Sequence, residues 1–598
     1  MITALQLSME PRQSETLPAS DKRLLTLLLF AFCAVVYVGS AFSPALQDDA
    51  DSTHAEAARE MFVTGDYVTL HVNGVRYLEK APLVYWLVAL SYRLFGVNEF
   101  ATRLPNVLTM FLLAALVMRW GSRAFGDIAG LYAGLFTATA AGFYLFTRIL
   151  IPDALLTLLI AASFYFFLSA LSEAGAWRWY AAYACLALAV LTKGLVPLVF
   201  VGTTAVVYLA ATGEWRRWRE FRLGSGLLVF LLIAAPWHIL AGVRNPHFFW
   251  FYFVNEHFLR FIGKRYPVDY NKVPAFWYWT LHLVWLFPWA LYAPIAALHL
   301  GRSRQRADRS FGSRTRLLCW IWAGVVLVFF AFSTSQEYYT MPAYVPILLL
   351  IAGAIAQEEA EDRRKWLVTI SALLALVTLI ASGVLIWGLW SSRHLPFVSD
   401  IGTVLEHNLS EDTLSMSHAL DLTGQSFAAL RLPAILAAVA LAIGPLTALL
   451  LRVRGKHLAA TITTAATMVM FLVAAHIALV RFDPYLSSKT LAEKIAQQAT
   501  TSDKVMIYGD QAFGSSLLFY LRRPIYLVNG RTTSMWFGST YPDAPKIYLD
   551  DSDLVRTWTT GTRVFLFVPS HQKKTVEALL PNEVVVGESS GKMIYSNR

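Results

Sequence analysis

The chain has 598 residues, of which 56% are hydrophobic and 15% are charged, and its mean hydropathy is +0.50. Soluble domains carry about 25% charged residues, so this composition excludes an ordinary soluble protein and indicates a polytopic membrane protein. The net charge of +10 comes from short basic clusters between apolar runs, where membrane orientation and contact with anionic lipids explain it without nucleic acid.

Apolar runs recur along most of the chain at the length that a membrane requires. A helix crosses the hydrocarbon core with about 20 apolar residues, and by that measure we predict a polytopic α-helical protein with about 13 transmembrane helices. The predicted spans are 23–43, 104–119, 126–146, 153–171, 179–192, 195–211, 224–243, 276–299, 317–333, 340–356, 366–390, 431–451 and 458–480. No cleavage pattern of small residues follows the first span, so we expect it to be retained.

Basic residues occupy every second connection between the predicted spans. They are Arg119 and Arg123; Arg216, Arg217, Arg219 and Arg222; Arg302, Arg304, Arg306, Arg309, Arg314 and Arg316; Arg363, Arg364 and Lys365; and Arg452, Arg454 and Lys456. The positive-inside rule puts these connections on the cytoplasmic side. We therefore expect the other connections to face outward, namely 44–103, 148–153, 244–275, 334–339, 391–430 and the tail after 481.

The tail, 482–598, differs in character from the rest of the chain. Short β-rich runs lie at 504–509, 524–529, 546–549, 563–570 and 583–589. Helical stretches at 487–499 and 571–580 lie between them. Strands that alternate with helices predict a small α/β domain, so we divide the chain into a transmembrane domain, 1–481, and a C-terminal α/β domain, 482–598.

The first outward loop, 44–103, is long, charged and aromatic, whereas most multi-span proteins join their first two helices with a short polar turn. Asp48, Asp49 and Asp51 follow the first span directly. Carboxylates at this position could bind a divalent cation, hold a sugar amine or hydroxyl, or act as a base, and a solvated loop is the alternative. We take Asp49 and Asp51 as candidate catalytic residues.

Two further stretches of this loop carry candidate substrate ligands. Residues 54–61 read as a helix that carries Arg59, although an amphipathic helix in the membrane interface would explain this run without catalysis. In the run Tyr77–Pro82, which precedes the next helix, Lys80 is a candidate phosphate ligand and Tyr77 a candidate substrate contact. The alternative is that Lys80 is a snorkelling lysine, whose apolar stem lies in the membrane and whose ammonium reaches the water.

The short outward connection 148–153 places charges at a membrane boundary. Asp153 stands directly after Pro152 at the start of a span, where an ionisable group is costly unless it is paired or useful. We take Asp153 as a third candidate catalytic carboxylate, with a helix N-cap as the alternative. Arg148 could pair with Asp153 or with a phosphate.

The outward loop 244–275 could supply both cations and metal ligands. Arg260 and Arg265 could clamp a phosphate bidentately. His257, together with Glu79 of the first loop, could hold a divalent metal ion, although no HExxH spacing is present.

The remaining outward turn, 335–339, offers aromatic hydroxyls. Tyr339 is a candidate contact to a sugar. The sequence has no P-loop, no GxGxxG after a strand and no GxSxG elbow, so we expect no nucleotide cofactor.

Several of these motifs resemble those of the GT-C class of membrane glycosyltransferases, in the protein O-mannosyltransferase-like superfamily, and most of all the bacterial lipid A aminoarabinose transferase family. The matching segments are Asp48–Met61, Gly65–Tyr67, Tyr77–Pro82, Leu94–Pro105, Asp153, Glu256–Phe261 and Tyr339–Pro342. An ungapped match places Ala50 on the family's first acidic position, so either Asp49 or Asp51 takes that role. Ala81 stands where the family's EKPP-like segment has its first proline.

The resemblance implies a multi-pass protein of the bacterial inner membrane, whose active site and C-terminal domain face the periplasm. It implies transfer of a sugar, expected to be 4-amino-4-deoxy-L-arabinose, from undecaprenyl phosphate to a lipid A phosphate, which gives resistance to polymyxin and other cationic peptides. Lys80, Arg148 and Arg265 would stabilise charge on the leaving phosphate. Asp49 or Asp51, with Asp153, would hold the ammonium of an amino sugar or a cation.

Two alternatives stay open. A transferase of the same architecture could move mannose or another sugar to a protein or to another glycan, and one carboxylate would then accept a proton from the acceptor hydroxyl. A lipid transporter or flippase is the alternative of a different class. Transporters usually place their charges near the bilayer midplane, whereas the notable charges here lie in outward loops.

Overall fold

The computed structural model describes residues 18–268, 273–303, 310–333, 335–404 and 423–598. The first 17 residues and parts of the basic connection 302–316 and of the loop 391–430 lie outside these ranges. The helices of the membrane part are α1 (Ala19–Cys33), α2 (Ala50–Thr64), α3 (Leu83–Phe95), α4 (Glu99–Phe125), α5 (Asp127–Thr139), α6 (Ala141–Phe146), α7 (Asp153–Ser172), α8 (Ala176–Lys193), α9 (Val196–Thr212), α10 (Leu223–Arg244), α11 (Ala275–Trp285), α12 (Ala293–Ser303), α13 (Phe311–Phe332), α14 (Met341–Ala360), α15 (Arg364–Ser391), α16 (Arg431–Val453) and α17 (His457–Arg481).

Within the described ranges, eight helical segments are long and apolar enough to cross a membrane. They are Glu99–Phe125, Asp153–Ser172, Leu223–Arg244, Phe311–Phe332, Glu337–Ala360, Arg364–Ser391, Arg431–Val453 and His457–Arg481. The predicted polytopic helical fold is therefore confirmed, while the count of about 13 stays a prediction. The other predicted spans fold as shorter or interrupted helices.

The clearest interrupted span is the one predicted at 276–299. It folds as two helical pieces, Ala275–Trp285 and Trp289–His299, that meet at an angle of 99°. Pro288 stands at the break, and a proline has no N–H with which to continue the helical hydrogen-bond ladder. If each bent pair is one span, the described residues have up to nine.

Helix α2 is not an amphipathic helix in the membrane interface. Every residue from Asp51 to Ala58 is buried, because α2 packs against α3 on one side and against a helix of the C-terminal domain on another. Its apolar residues, among them Ala55 and Met61, share one hydrophobic core with Leu491 and Phe519 of that domain. The first loop and the C-terminal domain are thus packed together.

The predicted C-terminal α/β domain is confirmed. After a short hairpin of β1 (His71–Val72) and β2 (Val75–Arg76) in the first loop, the remaining elements are α18 (Asp483–Leu486), α19 (Lys489–Gln498), β3 (Lys504–Tyr508), α20 (Ser516–Leu521), β4 (Tyr526–Val528), α21 (Trp536–Ser539), β5 (Tyr548–Leu549), α22 (Asp551–Thr559), β6 (Val564–Val568), α23 (Lys573–Leu579), β7 (Val584–Ser589) and β8 (Lys592–Ser596). The six-stranded sheet has the order β5-β4-β3-β6-β8-β7. Strands β3 to β6 are parallel, and the β7–β8 hairpin adds antiparallel to β6.

Candidate active site

Seven charged side chains gather where the first loop meets the ends of α7 and α8 and the segment 250–265. We call them the charged cluster: Glu79, Lys80, Asp153, Lys193, Glu256, Arg260 and Arg265. They come from four separate parts of the chain. Burial of so many ionisable groups is costly unless they are paired or used, so their convergence marks a candidate site.

Asp153 and Lys193 form the deeper pair of the charged cluster. The Lys193 ammonium lies 2.5 Å from Oδ1 of Asp153, whose side chain is fully buried at the start of α7. Oδ2 of Asp153 has no hydrogen-bond partner within the described residues. Lys193 also lies over the ring of Tyr339, 3.9 Å from its centroid, and the negative face of the ring favours that cation. This pair therefore keeps one buried acceptor oxygen for a further donor.

The other five residues of the charged cluster form a chain of alternating charge. Lys80 contacts Oε1 of Glu79 at 2.7 Å, and Arg265 contacts the other oxygen at 2.9 Å. Arg265 also contacts Glu256 at 2.9 Å, and Arg260 contacts Glu256 at 2.7 Å. These five residues carry one positive charge in excess, and bidentate guanidinium geometry suits a phosphate.

The two parts of the charged cluster are electrostatically connected. The positive charge of Lys80 interacts with both Asp153 and Lys193, and the positive charge of Arg260 also interacts with Lys193. Burial alone would raise the pKa of Glu79, but Lys80 and Arg265 outweigh it and hold that pKa well below its usual range. Glu79 therefore stays ionised and keeps the cations in place before any anion binds.

Asp49 lies beside this cluster at the start of α2. Its side chain is exposed, yet protein encloses it on several sides; this enclosure and the charge of Asp510 raise its pKa to about 6, while Lys80 opposes the rise. Its backbone has φ +69°, a conformation that non-glycine residues rarely adopt. The N–H of Asp49 donates to Ser515 Oγ at 2.7 Å and holds this conformation. Strained residues of this kind often occur at functional sites.

Two other acids of the first loop are bound by the protein itself, which favours a structural role for Asp51 over the predicted catalytic one. Asp51 is fully buried and accepts hydrogen bonds from the N–H groups of Leu150 at 2.8 Å and Gln47 at 3.1 Å. Its carboxylate lies 3.6 Å from Arg103. Asp48 instead binds the C-terminal domain through Lys592 at 2.9 Å. Of the three acids, Asp49 remains accessible to a substrate.

Two predicted substrate ligands, Arg59 and Arg148, form hydrogen bonds with the protein itself. Arg59 donates twice to Glu56 on its own helix, both times at 2.6 Å. Arg148 is buried and donates from Nη1 to the carbonyl oxygen of Ser40 at 2.8 Å, and it is not paired with Asp153. Its Nε and Nη2 have no hydrogen-bond partner within the described residues, so a contact from Arg148 to a phosphate stays a prediction. The sequence suggested these roles because a one-dimensional pattern cannot distinguish a cation that faces a ligand from one that faces its own scaffold.

The predicted metal site at Glu79 and His257 does not fit the structure. His257 donates from Nδ1 to the carbonyl oxygen of Tyr252 at 2.5 Å and accepts at Nε2 from the N–H of Leu195 at 3.0 Å, which leaves no ring nitrogen for a metal. Glu79 is paired with two cations. Among the residues that the structure describes, no group of three or more His, Cys, Asp or Glu side chains could hold a metal ion.

The sequence interpretation missed Lys193, which is a central residue of the charged cluster. The signal in the sequence is a charged residue between the predicted spans 179–192 and 195–211, where an ionisable group is costly unless it is paired or useful. Gly194 follows it at φ +71°, and a Cβ there would meet His257 Nε2 at 2.0 Å. His257 and Gly194 thus fix the turn that presents Lys193.

Comparisons with known proteins agree with the resemblance. Residues 79–240 match the family described as dolichyl-phosphate-mannose-protein mannosyltransferase. An undecaprenyl phosphate-alpha-4-amino-4-deoxy-L-arabinose arabinosyl transferase of Proteus mirabilis is 29% identical over 362 residues, which cover 58% of this chain and 61% of that protein. A protein of the same name from Aeromonas salmonicida is 29% identical over 55% of this chain and 60% of its own length. The chain thus spans about three fifths of the length of these curated relatives.

The fold comparison extends over nearly the whole chain. The crystal structure of ArnT from Cupriavidus metallidurans bound to undecaprenyl phosphate has a TM-score of 0.79 at 26% identity, over 96% of this chain and 98% of that one. Its apo structure gives a TM-score of 0.77, also at 26% identity, over 97% and 99%. The resemblance to these membrane glycosyltransferases is therefore confirmed in sequence and in fold.

Proposed function

We propose that this chain, a relative of the aminoarabinose arabinosyl transferases, transfers 4-amino-4-deoxy-L-arabinose from undecaprenyl phosphate to a lipid A phosphate. The observation that carries the proposal is the charged cluster, which gathers four cations at the end of the helix bundle that bears the long loops and the C-terminal domain. A relative of the same fold binds undecaprenyl phosphate. An anionic head on a lipid tail suits cations that lie at the edge of an apolar bundle.

Lys80 and Arg265 are our candidates for the ligands of the donor phosphate. Both side chains contact Glu79, so the phosphate would take over cations that are already held in position. In the reaction, an oxygen of the acceptor phosphate attacks the anomeric carbon. The bond from that carbon to the prenyl phosphate oxygen breaks, and undecaprenyl phosphate leaves. Fixed cations stabilise the charge that develops on this leaving group.

The acids would then orient the sugar. An acceptor phosphate is already ionised near neutral pH and needs no strong base, so Asp49 and Asp153 are available for the ammonium of the amino sugar. Oδ2 of Asp153 is a buried acceptor with no hydrogen-bond partner among the described residues, and Asp49 is exposed beside Lys80. The Tyr77 hydroxyl donates to Glu79 at 3.2 Å and the Tyr339 ring lies under Lys193, so both tyrosines adjoin the charged cluster and are candidates to contact the sugar ring.

The proposed location is the bacterial inner membrane, with the charged cluster and the C-terminal domain in the periplasm. Basic side chains at the opposite helix ends support this orientation, among them Arg123, Arg217 and Arg314. No nucleotide or metal is required for the step as proposed, because the donor is already activated as a phosphate ester.

Transfer of a sugar to a protein hydroxyl is the second candidate. The match of residues 79–240 to a protein mannosyltransferase family favours it. A hydroxyl acceptor needs a base, and Asp49, with a pKa of about 6, could accept that proton. A transporter is less well supported, because the charges lie at the helix ends and in loops rather than at mid-span.

A reconstituted transfer assay tests the proposal. The purified chain in lipid vesicles is given undecaprenyl phosphate-linked aminoarabinose, with either lipid A or a serine- and threonine-rich peptide as acceptor. Mass spectrometry should show one added amino-pentose on lipid A and an unmodified peptide. Modification of the peptide alone would favour the second candidate, and modification of neither acceptor would contradict both.

A further inference from the structure

A short segment of the C-terminal domain, 536–541, lies against the first loop close to the charged cluster. Helix α21 forms most of this segment and packs on strand β2. A Cβ on Gly538 would meet the carbonyl oxygen of Arg76 at 1.9 Å, so the two backbones are in direct contact there. Strand β2 ends at Arg76, and Glu79 and Lys80 follow within four residues.

The opposite side of the same segment contacts the loop that carries Arg265. Phe537 stacks on Phe251, with ring centroids 4.1 Å apart and planes 2° from parallel. Trp536 meets Tyr266 edge-on at 4.8 Å. Tyr266 is the next residue after Arg265, and Phe251 belongs to the π-helix Trp250–Leu259, which also carries Glu256. Aromatic pairs of this geometry add about 0.5–1.5 kcal/mol each beyond their buried area.

Tyr541 joins the two sides a third time. Its hydroxyl donates to the carbonyl oxygen of Pro246 at 2.5 Å, and Arg76 lies 4.2 Å over its ring. Arg76 in turn binds Asp543 through two hydrogen bonds of 2.6 and 2.8 Å. The segment 536–541 therefore contacts both the first loop and the loop 244–275.

We propose that residues 536–541 form a positioning clamp that sets the distance between Lys80 and Arg265, and so shapes the donor phosphate site. This inference rests on the proposed function. None of the clamp residues belongs to the charged cluster. They act through the backbone of β2 and through the rings of Phe251 and Tyr266.

Chemistry at the charged cluster explains why such a clamp is needed. Before the donor binds, Glu79 joins Lys80 and Arg265 directly. A bound phosphate competes with Glu79 for both cations and weakens the charge contact that joins the two loops. The clamp consists of ring stacking, backbone contact, the Tyr541 hydrogen bond and the contact of Arg76 with the Tyr541 ring. None of these contacts uses a residue of the charged cluster, so an anion bound there does not compete for them. The clamp therefore keeps Lys80 and Arg265 at a fixed distance when a bound phosphate weakens their contacts with Glu79.

Substitution of Gly538 by alanine tests the clamp without changing any charge. In Gly538→Ala the added methyl must push α21 away from β2. We expect Kd for undecaprenyl phosphate, measured with the full chain in lipid nanodiscs, to rise roughly tenfold, the loss expected when one hydrogen bond to a charged group is weakened. Gly587→Ala is the matched control: the three atoms nearest to its methyl all belong to the flexible side chain of Lys494.

Substitution at Phe537 separates positioning from folding. Phe537→Ala should raise Kd for undecaprenyl phosphate and KM for the sugar-linked donor, while Phe537→Tyr keeps a ring on Phe251 and should restore both. KM for lipid A should stay unchanged. A general loss of folded protein would lower the maximal rate and leave both KM values as in the wild type, so a raised KM for the donor alone reports positioning. Thermal melting of every variant shows which samples are folded.

The outcomes are distinct. Unchanged Kd in both Gly538→Ala and Phe537→Ala, with wild-type binding intact, would overturn the clamp. Equal loss in Phe537→Ala and Phe537→Tyr would overturn it as well, because stacking would not be the cause. A wild type that binds undecaprenyl phosphate but transfers no sugar would contradict the proposed function and leave the clamp to be judged by the binding data. A wild type that does not bind undecaprenyl phosphate would contradict both.

Discussion

Helices α2 and α7 each carry a fully buried carboxylate in the first turn, Asp51 and Asp153, but the two carboxylates differ in what surrounds them. Both oxygens of Asp51 accept a backbone N–H, and Arg103 lies nearby. Asp153 has one oxygen on Lys193 and a second that has no hydrogen-bond partner in the described part of the chain. A buried acid alone therefore does not mark a site. A buried carboxylate marks a candidate site when one of its oxygens can still accept a hydrogen bond from a ligand, and Asp153 has such an oxygen.

The largest expected effect is that of Asp153→Asn. A neutral amide keeps one acceptor oxygen but has no charge to offset the Lys193 ammonium or to attract the ammonium of an amino sugar. Transfer should fall by about 10²-fold or more, the size expected when a preorganised charge is removed from a site. Rates of sugar transfer and thermal melting are measured together. Asp127→Asn, at the start of α5 and paired with Lys22 at 2.9 Å, is the matched control and should keep its activity. Equal rates of transfer in Asp153→Asn and Asp127→Asn would contradict the assignment of Asp153 to the site.

The counterpart at α2, Asp51→Asn, should change stability instead of chemistry. The substitution turns one acceptor into a donor that faces a backbone N–H, and it leaves Arg103 without its counter-charge. We expect a loss of about 3 kcal/mol in the free energy of unfolding. Thermal melting in detergent measures it. A variant of unchanged stability that had lost transfer would restore Asp51 as a catalytic candidate.

The third acid, Asp49, is expected to have an effect of intermediate size, and the pH dependence of transfer tests its role. With a pKa of about 6, its carboxylate takes up a proton as the pH falls below that value. Transfer by the wild type should be about tenfold lower at pH 5 than at pH 7, and Asp49→Asn should show a low rate without this acidic limb. An identical limb in the variant would assign the titration to another group.

The same shift predicts the opposite sign for stability. The folded state raises the pKa of Asp49 above its ordinary value of 3.8, so it binds the proton more tightly than the unfolded chain does. Stability from this group is present below about pH 4 and is lost as the pH rises through 6. Acid loss of transfer therefore should not coincide with a loss of melting temperature from Asp49.

The smallest effect is expected at the contact between Asp48 and Lys592. In Lys592→Ala, Asp48 keeps its hydrogen bonds from Ser488 and Ser516, so the loss should be about 1 kcal/mol or less. Hydrogen exchange should rise in β8 and in the first turn of α2, with transfer nearly unchanged. A large loss of transfer would mean that this contact holds the site as well as the domain.

Much of the fold could be predicted because single segments determine it. The long apolar runs of α4, α7, α10 and α15 have the length of a membrane span, and the runs that became β3 and β6 are rich in branched and aromatic residues. Strand β8, Lys592–Ser596, was missed although it is as long as β3 and β6; it lies antiparallel between β6 and β7, a pairing that its own five residues do not encode.

Site residues could be predicted where a charged residue lies at the boundary of an apolar run. They could not be predicted where the role depends on a partner that is distant in the sequence. Lys80, Arg265 and Asp153 stood out as charges at apolar boundaries, and the structure brings them together. The pairing of Asp153 with Lys193, rather than with Arg148, depends on which helix ends meet. The contact of Asp49 with Ser515 joins residues 466 positions apart, which no local pattern reports.

The central claim is that the cations of the charged cluster bind the phosphate of a lipid-linked donor. The most direct test is equilibrium binding of undecaprenyl phosphate to the wild type, to Lys80→Ala and to Lys264→Ala in nanodiscs. Lys264 is an exposed lysine next to Arg265 in the same loop and serves as the matched control. Lys80→Ala should weaken binding by about 10- to 100-fold, the value of a hydrogen bond to a charged group, and Lys264→Ala should not. Equal affinity in all three proteins would contradict the account.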